Sequence, residues 1–110
     1  MPHYLVQVAY TPQAWAAQLK DPQDRTKIVG AALERVGARF VNAYLAFGEY
    51  DVVFIMEAPD NLSAAGVSMA VSAGGAVKAI KTTPLMTIEE GIQAMRKGVQ
   101  AAGVYRPPGG

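Results

Sequence analysis

Three helix-start signals, and the β-rich runs between them, restrict this chain more than any other feature. Thr11-Pro12 sets an N-cap residue before the favoured first-turn proline, Asp60 precedes a run of small residues, and Thr87 with Glu90 spells a T-x-x-E capping box. Each follows a stretch rich in β-branched and aromatic residues. His3 to Tyr10 is the first such stretch, and Thr11-Pro12 turns it into a short helix that Trp15 and Leu19, four residues apart, can pin down. Asp21-Pro22 repeats the signal for a longer helix, with Ile28, Val29, Ala32, Leu33 and Val36 at helical spacing and Gly37 as its left-handed stop.

RFVNAYLAF (39–47) and YDVVFIME (50–57) read as two strands joined by Gly48-Glu49, a pair that suits a two-residue type II′ turn. After Asp60 comes a helix in which Leu62, Ala65, Gly66, Met69 and Ala73 share a face, ended by Gly74-Gly75. Val77 to Leu85 is the fourth strand. In the last helix Ile88, Ile92, Met95 and Val99 line one side, and Arg96 and Lys97 suit its C-terminal dipole. The order is βαββαβ plus a C-terminal helix, with an extra short helix after the first strand. That is an α+β, ferredoxin-like arrangement on an antiparallel four-stranded sheet. With 110 residues, half of them hydrophobic, one domain over 1–103 can bury a core, and 104–110, ending Pro-Pro-Gly-Gly, is expected to be a flexible tail.

A two-residue turn pairs Phe47 with Tyr50, Leu45 with Val52, Ala43 with Phe54 and Val41 with Met56, all apolar and therefore on the side of the helices. The opposite face then carries Phe40, Asn42, Tyr44 and Ala46 beside Asp51, Val53, Ile55 and Glu57, with Leu5 and Gln7 from the first strand. Strand 4 adds either Lys78, Ile80 and Thr82 or Val77, Ala79, Lys81 and Thr83. Such a surface is too apolar to stay bare, and a second subunit is the simplest cover. Asp51, diagonal to Tyr44, is within reach of its hydroxyl.

Several functions find no support. The net charge is +1 with basic residues scattered, and the entry to strand 3, Gly-Glu-Tyr-Asp, is acidic where the RNA-binding version of this order needs a basic, aromatic one. Nucleic acid is not an expected partner. The longest uncharged stretch, Asn61 to Val77, falls short of the ~20 apolar residues of a membrane span. No cysteine is present and His3 is the sole histidine, so no metal site or haem is expected, and the glycines fit no phosphate-binding pattern. The start, MPHYLVQVAYTP, lacks the basic region of a signal peptide, and a cytoplasmic protein is expected.

Gly48-Glu49-Tyr50-Asp51, followed by Glu57-Ala58-Pro59-Asp60, resembles the GYD domain family of small bacterial proteins. The run into Thr11-Pro12, Arg25 and the ending Met86-Thr87-Ile88-Glu89-Glu90-Gly91 add to the likeness. The resemblance implies a domain of the dimeric α+β barrel type and carries over no catalytic residue and no cofactor. The expected function is a homo-oligomer, a homodimer or larger, that encloses a small, partly apolar molecule between facing sheets, with Gln7, Asn42, Tyr44 and Asp51 orienting it. One alternative is a cofactor-independent enzyme, monooxygenase- or isomerase-like, in which Tyr44 and Asp51 manage a proton. Another is an assembly module that binds nothing.

Overall fold

The computed structural model describes residues 1–109, which form β1 (His3–Tyr10), α1 (Pro12–Lys20), α2 (Thr26–Arg35), β2 (Arg39–Leu45), β3 (Val52–Glu57), α3 (Asn61–Ala73), β4 (Val77–Leu85) and α4 (Ile88–Ala102). The sheet order is β2-β3-β1-β4, antiparallel throughout. This is the ferredoxin-like arrangement. Even-numbered residues of β1 point inward: Tyr4, Val6 and Val8 join Phe54 and Met56 of β3 under Leu33 of α2 and Ala64 and Val67 of α3. The capping chemistry holds at three helix starts. Thr11 accepts from the Ala14 N–H, Asp60 from the Ser63 N–H, and Thr87 and Glu90 close the reciprocal capping box.

Four expectations about local structure are corrected. Asp21 ends α1 instead of starting α2, which begins at Thr26 after Asp24 accepts from the Thr26 N–H and hydroxyl. Leu19 does not pin α1, for it is exposed. In α3 the buried side is Ala64 and Val67, with Leu62 and Met69 exposed. That helix is uncharged, with small and apolar residues on every side, so periodicity does not orient it.

The fourth correction concerns the β2–β3 hairpin. Leu45 pairs with Val52 and Ala43 with Phe54 as expected, but residues 46–51 form a longer loop, Phe47 does not pair with Tyr50, and Gly48 does not have positive φ. Lower in the hairpin Phe40, not Val41, pairs with Met56, and the register shifts between Phe40 and Asn42. Val41 is the extra residue of a β-bulge, so Phe40 turns to the helix side. There its ring meets Phe54 edge-on, centroids 5.0 Å apart, beneath Gly30 of α2. Gly37 does end α2 at φ +76°, where a Cβ would lie 3.3 Å from Pro59 Cγ. The expected tail over 104–110 includes Gly110, outside the described residues; Val104 closes a turn after α4, and Val104 to Gly109 are exposed.

Candidate functional site

Side chains alternate across a strand, so the register assigns the open face directly. Across β2, β3, β1 and β4, one row is Tyr44, Val53, Gln7 and Lys81, and the next is Asn42, Ile55, Leu5 and Thr83. The third is Arg39, Glu57, His3 and Leu85. β4 thus presents Ala79, Lys81 and Thr83 to this side, the second of the two phases open in the sequence but without Val77, which lies beyond the register shift and packs against the core. Three expected site residues, Gln7, Asn42 and Tyr44, fall on adjacent rows of this face. Tyr44 is 65 % exposed. Val53, Ile55 and Leu5 run between them and remain only half-buried, so the face is an apolar strip edged by polar groups. Phe40, expected here, is not part of it.

Asp51 departs from expectation. It lies at the end of the same face, where β3 begins, yet its Oδ2 accepts from the Tyr10 backbone N–H at 2.9 Å and from the Trp15 indole N–H at 3.3 Å. No hydrogen bond joins it to Tyr44 among the described residues. Tyr10 and Trp15 also meet edge-on at 5.4 Å, so Asp51 ties the mouth of the hairpin to the end of β1 and to α1. The bulge between Ala9 and Tyr10 explains the choice of partner. A bulged backbone leaves ladder groups unpaired, and the carboxylate takes up the Tyr10 N–H.

The opposite end of the face holds a cluster that sequence reasoning passed over. Glu57 accepts from Arg39 Nε at 2.7 Å and lies 3.5 Å from His3 Nε2. The Arg39 hydrogen bond holds the Glu57 carboxyl below its ordinary range; partial burial opposes this, and the Arg39 and His3 charges add to the lowering. The available signal was pairing: three short strand ends brought level put one acid between two bases. Beside this cluster a cavity of about 600 Å³ opens between Met1, Pro2, His3 and Ile55 on one side and Leu85, Met86, Thr87 and Glu90 on the other. Thr87 and Glu90 already bond each other and His3 lies against Glu57, so each polar side chain of this lining has a partner within the chain. Among the described residues no three histidine, cysteine or acidic side chains converge as metal ligands.

This placement of the GEYD loop, with its aspartate locking the hairpin mouth to β1, can be set beside known families. The sequence profile of the GYD domain matches residues 4–95. The chain belongs to the GYD domain family. The match runs from β1 into the middle of α4 and so takes in the whole sheet of the GYD domain. No curated protein matches the sequence. Among solved structures, the chain is similar to one described as the crystal structure of FFRP-DM1, at a TM-score of 0.51 and 13 % identity, covering 78 % of this chain and 100 % of that one. It is also similar to a hypothetical protein, PHS023, from Pyrococcus horikoshii, at a TM-score of 0.50 and 12 % identity over 79 % of this chain and 92 % of that one. At such identities the likeness shows the fold alone. Among the described residues of this GYD domain, no helix is long and apolar enough to cross a membrane.

Proposed function

We propose that this GYD-domain protein is a cytoplasmic homo-oligomer that apposes two open sheet faces and holds a small, partly apolar molecule between them. The single observation that carries the reading is the strip of Leu5, Val53 and Ile55, uncovered within the chain and bordered by Gln7, Asn42 and Tyr44. Apolar walls with few placed polar groups are the usual make-up of a small-molecule site. Gln7, Asn42 and Tyr44 orient the molecule, and Lys81, level with Gln7, favours an anionic end on it. Asp51 takes a supporting part, fixing the wall through Trp15 and Tyr10 without touching the occupant. A Tyr44–Asp51 proton pair has no part in this reading, because the carboxylate is already committed to two other donors.

The test is mass and cargo together. Light scattering at micromolar concentration should give more than a monomer, Ile55→Glu should lower the mass, and native mass spectrometry of protein purified from its source should show a bound small molecule that Ile55→Glu loses. A parent of monomer mass, or an Ile55→Glu variant with unchanged mass and cargo, overturns the proposal.

A further inference from the structure

Beyond its capping box, helix α4 has no buried residue to hold it to its own chain. None of its 15 residues is buried, and Ile88, Met95 and Val99 are 84, 70 and 73 % exposed. The molecule extends 58 Å along one axis, with a radius of gyration of 17.6 Å against the ~13 Å of a compact domain this size. Isolated helices of this length are marginal in water, and α4 carries two interior glycines, which weaken it further. A Cβ at Gly91 or Gly98 would meet nothing within 4 Å, so no contact inside the chain calls for glycine at either place.

Three features of α4 agree on what covers it. Ile88, Ile92, Met95, Val99 and Ala102 are spaced 4, 3, 4 and 3 apart, the seam of a coiled coil with Ile92 and Val99 at a and Ile88, Met95 and Ala102 at d. The two glycines both fall at g, where small residues let another backbone approach closely. The two e positions are Glu89 and Arg96, opposite charges that are exposed and form no ion pair among the described residues. In an antiparallel pair of identical helices e faces e and g faces g. Glu89 then meets the partner's Arg96 twice over, glycine meets glycine, and Ile92 packs on the partner's Met95. A parallel pair would set these charges against glycines and gain nothing from them.

We propose that α4 pairs antiparallel with α4 of a second copy of this chain across a two-fold axis, with Ile88, Ile92, Met95 and Val99 as its seam and Glu89–Arg96 as its two charge contacts. The pairing uses no residue of the sheet face, and stands or falls apart from the function proposed above.

The chain has no cysteine, which makes the test clean. Under mild oxidation an equimolar mixture of full-length Glu89→Cys and Arg96→Cys should give a disulfide-linked pair, and neither variant alone should do so, since two copies of either position lie about 10 Å out of step along the pair. By sedimentation, Glu89→Arg and Arg96→Glu should each self-associate roughly 2- to 30-fold more weakly in the Ile55→Glu background, as two opposed charges become two like ones, and mixing them should restore association. Cross-linking of each cysteine variant to itself, absence of any cross-link in the mixture, or failure of the mixed charge variants to recover would each overturn the proposal.

Discussion

Replacing Asp51 by alanine takes one carboxylate from two donors, the Tyr10 N–H at 2.9 Å and the Trp15 indole N–H at 3.3 Å. A bond to a charged acceptor is worth about 1.5–3 kcal/mol net, and the longer indole contact about 0.5–1 kcal/mol. The expected loss is therefore about 2–4 kcal/mol, made larger rather than smaller by leaving a half-buried backbone N–H unpaired. With a urea slope of about 1.5 kcal/mol per M, the unfolding midpoint should fall by roughly 1.3–2.7 M. Asp51→Asn keeps a neutral acceptor and should lose about half as much. Circular dichroism at matched protein concentrations reads the midpoint, and Trp15, the sole tryptophan, reports by fluorescence whether α1 is released in the same transition. Removing the indole donor as well, in Asp51→Ala/Trp15→Phe, should cost less than the two single changes added together. A midpoint for Asp51→Ala within about 0.3 M of the parent would refute the assignment of Asp51 as the tie between hairpin, β1 and α1.

Gly37→Ala should destabilise by about 1–2 kcal/mol, because it forces a side chain into positive φ against Pro59, whereas Gly48→Ala should stay within about 0.5 kcal/mol of the parent; equal midpoints for the two would contradict the loop geometry. Glu57 has its carboxyl lowered in the folded state, so the stability it draws from Arg39 is complete above the ordinary glutamate value of 4.5 and is lost as pH falls through the lowered folded value. The stability gap between the parent and Arg39→Met should accordingly be constant near neutrality and close in acid, as unfolding curves from pH 7 to pH 3 would show.

Elements whose ends are marked by a chemical necessity were legible in the residues. Thr11-Pro12, Asp60, Thr87 with Glu90, and Gly37 each solve a local hydrogen-bond or backbone problem, and each marks a boundary where expected. Directions were harder. Phe40 and Val41 are both apolar, so nothing in the pair says which belongs to the core, and the bulge that decides it exists only in the pairing of β2 with β3. The small and apolar residues all round α3 hid its buried side in the same way. The place of Gln7, Asn42 and Tyr44 on the open face was readable because it needs only strand alternation and one correct pairing. The partner of Asp51 was not readable because Trp15 lies 36 residues away on α1, and the ion pair of His3 was not readable because Glu57 reaches it only when β1 and β3 lie side by side.

The bulge at Val41 also bears on how copies of this protein can meet. β2 and β4 are the edges of the sheet, and an edge strand offers free N–H and C=O groups to any other strand. On β2 the extra residue breaks the even spacing of those groups and twists the strand away from a straight neighbour. On β4, Pro84 has no N–H to offer, and Lys78 and Lys81 would bring like charges together in any self-pairing. Both borders are thereby unsuited to endless strand addition, the route to fibres. What is left for self-recognition is the sheet face and the α4 seam, surfaces on which a two-fold axis makes a closed pair instead of an open row of strands.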